Sequence, residues 1–171
     1  MDALKELKEL AFAIIVALLI YQAASLLLGT RVPVTAVVST SMEHATQFSE
    51  WWTTKEKEYL AFNVTKEEFL SYPYGEGMYV GDMVLVVNTT IRKGDVIVYH
   101  PESGCFANVK TADTIIHRVV STEPLVTKGD NNAAPDVKEG KSCIVSVEGK
   151  AVIGAPLLGY PRLLLFRMTG I

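Results

Sequence analysis

The chain has 171 residues, 49% of them hydrophobic, and carries 16 lysines and arginines against 19 acids for a formal net charge of −3. That length holds one domain with a proper core plus an additional apolar segment, and it excludes a second full domain. A negative chain with no lysine or arginine cluster is a poor partner for DNA or RNA, so no nucleic-acid ligand is expected.

The first element is the uncharged run Leu10 to Leu28 (LAFAIIVALLIYQAASLLL), bounded by Glu9 and Arg31. As a helix it reaches ~29 Å, about one hydrocarbon thickness. A cleaved signal sequence has a shorter apolar core of about 7 to 15 residues and ends in an A-x-A-like site, whereas this run ends at Leu-Gly-Thr-Arg. Residues 1–9 therefore read as a leader, 10–30 as a transmembrane anchor and 31–171 as the remaining domain. Lys5, Lys8 and the amino terminus precede the anchor and only Arg31 follows closely. The positive-inside bias then puts the N-terminus in the cytoplasm and the domain outside, where disulfides and glycans are allowed.

Beyond the anchor, short β-branched runs alternate with turn residues. Strands are expected at Val34 to Thr40, Met83 to Asn88, Asp95 to His100, Thr114 to Ser121, Leu125 to Lys128, Ser142 to Glu148 and Lys150 to Ile153. Turns are expected at Gly81-Asp82, Lys93-Gly94-Asp95, Lys128 to Asn132 and Glu148-Gly149-Lys150. No long helical pattern separates successive strands, so the fold class is mainly β, with antiparallel pairing in a compact, barrel-like or folded-over sheet. A helical insertion at about 45–80 interrupts this texture. Apolar residues at 48, 51, 52, 59 and 62 share one helical face, and Thr65 precedes Glu68 in capping-box spacing, predicting a second short helix to about Tyr72. The insertion reads as a packed surface flap; the alternative puts Trp51 and Trp52 at the membrane interface.

Chemistry enters at residues 37–44, VVSTSMEH. In an extended strand Ser39 and Ser41 point the same way with Cα atoms ~6.6 Å apart. A serine hydroxyl is inert without a base in hydrogen-bond reach. The chain has three histidines, His44, His100 and His117. His117 lies in TIIHRVV, where an imidazole among Ile and Val is costly unless it is used or satisfied. An orienting carboxylate is also needed. Asp113 is four residues away on the same face, ~13 Å along an extended chain, and is too far. Asp130 and Asp136 lie in the turn-rich KGDNNAAPD, either can face the imidazole, and spacing does not choose between them.

Other features point to less. Three scattered histidines lack the close spacing of a zinc site. Cys105 and Cys143 form an even pair that allows a disulfide. Asn63-Val64-Thr65 and Asn88-Thr89-Thr90 satisfy the glycosylation pattern. The tail from Tyr160, apolar with Arg162 and Arg167, is too short to span and reads as packed or interfacial.

STSM, GDMVLVV, KGDVIVYHP, IIHRVV and KGDNNAAPD, in this order behind an apolar N-terminal segment, resemble the type I signal peptidases of the archaeal and endoplasmic-reticulum branch. The resemblance runs from Leu10 to about Tyr160, including VEGKAVIGAPLLGYP. It implies a membrane-anchored serine endopeptidase that removes signal peptides from exported preproteins with small residues at the first and third positions before the cut. It implies no cofactor, and it implies the lipid bilayer and the translocation machinery as neighbours. By the same resemblance Ser41 is the nucleophile and Ser39 helps bind the oxyanion. His117 stands where bacterial members have a lysine base, Asp136 orients it and Asp130 supports the loop, with the reverse assignment open.

Two features depart from the family pattern. Ser-Met-Glu-His replaces the common Ser-Met-Glu-Pro, which removes a rigid turn residue and sets His44 beside the nucleophile as a competing base. The insertion between Ala45 and Gly81 lengthens the usual gap. A membrane-anchored β module that binds chains without cutting them is the reading from another class, and a self-cleaving or regulatory serine peptidase ranks below it. A free imidazole titrates near about pH 6.5, so a histidine base predicts activity that falls on acidification.

Overall fold

The apolar N-terminal run forms α1, Ala3–Leu28, in a computed structural model that describes residues 3–107, 113–156, 158–160 and 164. The helix takes in most of the expected leader as well as the anchor, with Lys5 and Glu9 one turn apart at 3.9 Å. Within its segment Leu4–Leu28 an 18-residue stretch has a mean hydropathy of 2.4 and is not covered by the rest of the protein, so the helix is long and apolar enough to cross a membrane. Gly29, at φ 65°, ends the helix in the left-handed conformation that suits glycine at this position. The amide of Asn88 then bonds the Leu28 carbonyl at 2.9 Å, seating the helix end on the domain.

The domain holds β1 (Val34–Ala36), α2 (Phe48–Leu60), α3 (Lys66–Leu70), β2 (Met83–Val87), β3 (Val96–Pro101), β4 (Ile115–Thr122), β5 (Leu125–Lys128), β6 (Val137–Lys138), β7 (Lys141–Ser142) and β8 (Ile144–Ala155). Six strands form one sheet in the order β1-β2-β8-β3-β4-β5, and β6 pairs with β7. Every pair is antiparallel, as the lack of helical crossovers predicts.

Three expectations change. The two strands expected at 142–148 and 150–153 are one strand, β8, which bonds β3 along its first part and β2 along its second. Glu148-Gly149-Lys150 is a bulge rather than a turn, because the register passes from Val98↔Gly149 to Tyr99↔Val147. Gly149 is required there: a Cβ would lie 2.5 Å from the Val87 carbonyl oxygen. β1 stops at Ala36, short of the serines. The hairpin of β6 and β7 was not expected; Glu139 (φ 52°) and Gly140 (φ 79°) make its tight turn.

The core has three parts. Met42 and Met78 pack with Val84, Val86, Val96, Val98 and Ala151. Beside them the insertion lays Phe48, Trp51, Trp52, Tyr59 and Phe69 against Val120 and Val126. Ile97, Tyr99 and Val119 form the third part, on the face of β3 and β4 that carries His117. Trp51 and Trp52 are 3% and 2% exposed, which corrects the membrane-interface reading: their rings cover β4 and β5 instead. Helix α3 starts as expected, with the Glu68 amide donating to Thr65 Oγ1 at 3.2 Å, but ends two residues early, at Leu70. Apart from Tyr160 and Leu164, the closing tail expected from Tyr160 lies outside the described residues.

Trp52 stacks on Tyr59 at 5.7 Å and meets Phe69 at 5.3 Å. Trp52→Ala is therefore expected to lower the unfolding free energy by about 3–5 kcal/mol in chemical denaturation of the solubilised protein. A loss under about 0.5 kcal/mol, as at an ordinary surface position, would contradict a packed insertion.

Candidate active site

After β1, Val37 makes two more backbone bonds, its amide donating to the Asp82 carbonyl at 2.8 Å and its carbonyl accepting from the Gly81 amide at 2.9 Å, and the chain then leaves the sheet. It closes a turn in which the Glu43 amide bonds the Thr40 carbonyl at 3.1 Å. Met42 anchors that turn, 1% exposed, with its carbonyl accepting from the Met78 amide at 2.9 Å. Ser41, half-buried, is thereby held at the rim, and its Oγ lies 3.1 Å from Ser39 Oγ. The two hydroxyls meet, through a turn and not through the extended strand expected.

His117 is the third residue of β4, opposite Ile97 of β3, and is 3% exposed. Its Nδ1 donates to Asp136 Oδ2 at 2.6 Å, since the carboxylate can only accept. That leaves the Nε2 lone pair as a free acceptor among the described residues. Gly129 keeps the approach to Nε2 open: a Cβ there would lie 2.8 Å from this nitrogen. Phe106 and Tyr99 flank the imidazole edge-on, at 6.0 and 6.3 Å.

Asp136 Oδ2 also accepts from Thr127 Oγ1 at 2.6 Å and from the Tyr99 hydroxyl at 2.9 Å. Burial, and then the charge of Asp136, push the Tyr99 phenol up, so it stays a donor. Backbone bonds fix the carboxylate's base: the Asp136 amide donates to the Thr127 carbonyl at 2.7 Å, and its carbonyl accepts from Cys143 at 2.9 Å. The Cys105–Cys143 disulfide, left open by the sequence, is formed.

Asp130 has different partners. It is fully buried and accepts from Arg118 Nε (2.9 Å) and Nη2 (2.7 Å), the Tyr59 hydroxyl (2.7 Å) and His44 Nε2 (3.1 Å). Arg118 gives its remaining N–H groups to the carbonyls of Pro73, Gly94 and Tyr74 at 2.7 to 3.0 Å. Burial alone would push the Asp130 carboxyl up; the Arg118 charge and the donors around it outweigh that and hold it well below the usual carboxylate range. Next to it, burial pulls the Lys128 ammonium down while Glu58, at 2.8 Å, partly offsets the shift.

The two aspartates thus divide. Asp136 touches the imidazole, and Asp130 holds the loop that carries Gly129 and Asn131. The Asn131 amide donates to the Ser41 carbonyl at 2.8 Å and its side chain to Thr40 O at 3.2 Å. One loop therefore borders both Ser41 and His117 Nε2. Among the described residues no hydrogen bond joins Ser41 Oγ to His117 Nε2; the Ser41 hydroxyl bonds Ser39.

The other histidines serve elsewhere. His44 stacks on Trp51 at 3.6 Å with Nε2 on Asp130 and Nδ1 buried without a partner, so it is not available to Ser41. His100 bonds Glu148 at 3.2 Å and the Asp113 carbonyl at 3.1 Å. Glu148, turned out by the bulge, accepts also from Arg31 N and Thr30 Oγ1, joining α1 to the sheet. Sequence reasoning missed Tyr99, Thr127, Tyr59, Gly129 and Arg118. Only Arg118 left a signal, because a charge inside an apolar strand demands a buried partner.

Asp130→Ala is expected to lower stability by about 3–5 kcal/mol, since it strands the buried Arg118 charge. A carboxyl held low in the folded state stabilises it above the unfolded value and loses that contribution as pH falls. Wild-type unfolding free energy should therefore decline below about pH 4, less steeply in Asp130→Ala, by denaturant titration at stepped pH. Equal slopes would contradict the assignment.

In comparisons with known proteins, no protein-family model matches this chain and no curated protein does.

Proposed function

We propose that the protein is a membrane-anchored serine endopeptidase that removes signal peptides from exported preproteins. The observation that carries this reading is the buried His117–Asp136 pair, with Nδ1 committed and Nε2 left open by Gly129, on the loop that also borders Ser41. In the reaction, Ser41 Oγ attacks the scissile carbonyl as His117 Nε2 takes its proton. Asp136 holds the tautomer and stabilises the imidazolium. The oxyanion is met by the Ser41 N–H and the Ser39 hydroxyl. His117 then returns the proton to the leaving amine, and water attacks the acyl-enzyme with His117 again as base.

The exposed apolar helix α1 supports a single-pass anchor, and the orientation we propose, N-terminus cytoplasmic and domain outside, follows from the positive-inside bias of Lys5 and Lys8. Such an anchor confines the enzyme to the surface where a membrane-embedded preprotein presents its cleavage site, next to the translocation machinery, and so raises effective concentration. A module that merely binds chains has no use for a buried imidazole with one nitrogen fixed and the other kept open.

Cleavage of a membrane-targeted preprotein by the detergent-solubilised full chain, with the new N-terminus read by mass spectrometry, tests the reading. A single cut after a small residue is expected, abolished in Ser41→Ala and also lost in His117→Lys, where lysine does not take over as the base. Ser39→Ala should lose about two to three orders of magnitude in kcat, and Asp136→Asn about four. Activity should fall on acidification while the fold persists. Cutting that survives Ser41→Ala, or a rate flat into acid, would overturn the assignment.

A further inference from the structure

A cleft of about 460 Å³ opens beside the His117–Asp136 pair, walled by Phe106, residues 132–137 and the Cys105–Cys143 disulfide. We propose that this cleft is the subsite for the residue that follows the scissile bond, and that it selects an uncharged apolar side chain there. The inference rests on the peptidase reading above and adds a specificity site to it.

The position follows from the chemistry of the base. The imidazole that accepts the serine proton must hand it to the leaving amine from the same nitrogen, so the residue contributing that amine passes across His117 Nε2. The Asn132 end of the cleft lies next to that nitrogen, across Gly129. A Cβ built on Gly129 would meet both His117 Nε2, at 2.8 Å, and the Asn132 amide nitrogen, at 2.7 Å, so the Asn132 amide sits at the same opening. From Asn132 the wall runs through Ala133, Ala134 and Pro135 to Asp136, and Phe106, whose ring centre is 6.0 Å from that of the imidazole, completes it. Ser39 and Ser41 are not among these walls, so the acyl side of the substrate is served by a separate surface.

The lining sets the preference. Phe106 and Val137 are partly exposed, and with two alanines, a proline and a disulfide they supply apolar contact for a side chain in a cleft whose polar part comes from Asn132, Asp136 and the backbone. The charged group in the wall is the Asp136 carboxylate, already holding three donors. An acidic side chain placed there would be desolvated beside a like charge, whereas Leu or Phe would cover apolar surface. The disulfide joins the segment bearing Phe106 to Cys143, whose amide bonds the Asp136 carbonyl, so it ties one wall to the other.

The test uses the full chain in detergent and preproteins identical up to the cut, with Leu, Phe, Ser or Asp as the first released residue, competed and quantified by mass spectrometry. Wild type is expected to favour Leu or Phe over Asp by about tenfold or more in kcat/KM. Phe106→Ala should compress that ratio to within about threefold, and Phe106→Leu should restore it. Thermal unfolding of both variants confirms that they are folded. A single cut, abolished in Ser41→Ala but indifferent to the first released residue, would overturn the subsite and leave the peptidase standing. A wild-type preference that persists in folded Phe106→Ala would also overturn it. No cut of any substrate overturns both.

Discussion

The buried pair of Asp130 and Arg118 is the constraint on which the site depends. A carboxylate with no solvent exposure is tolerable only if its charge and lone pairs are met, and Arg118, Tyr59 and His44 meet them. Each partner arrives from a different piece of chain: β4, the insertion, and the turn that carries Ser41. Satisfying one carboxylate therefore draws three segments into register. The loop so pinned carries Gly129 to the open face of the imidazole and Asn131 to the Ser41 carbonyl.

The same logic gives the insertion a purpose. Its aromatic face covers β4 and β5, while Tyr59 and Lys55 reach Asp130 and Asn131 of the loop, at 2.7 and 2.9 Å. Arg118 lies 4.6 Å from the Phe69 ring, so the guanidinium is covered by aromatic carbon on one side and bonded on the others. His44 takes part in the same brace. The turn after Ser41 is held by His44, tied to Asp130 and stacked on Trp51. Two histidine–aspartate pairs thus lie close in the fold with opposite characters. One is sealed, and the other keeps a nitrogen open.

What the sequence made legible follows from the range of the forces involved. The apolar helix and most strands were readable because hydrophobic periodicity is local. Glu148-Gly149-Lys150 read as a turn because glycine serves turns and close approaches alike; the deciding contact, with the Val87 carbonyl, comes from a strand some sixty residues away. Trp51 and Trp52 could face lipid or a sheet, and only the presence of β4 and β5 beneath them decides. The serine pair and His117 were legible as residue types with chemical needs. The choice between Asp130 and Asp136 was not, because both lie in one loop and the discriminating partner, Arg118, belongs to β4.

The most direct test of the central claim is nitrogen-15 NMR of the histidines in the full chain, recorded across pH beside kcat/KM for preprotein cleavage, with His44→Gln and His100→Gln for assignment. The account predicts that His117 is protonated on Nδ1 and bare on Nε2 in the active enzyme, and that Nε2 gains its proton over the same pH interval in which the rate falls. A bare Nδ1, or a rate that falls where His117 does not titrate, would contradict it.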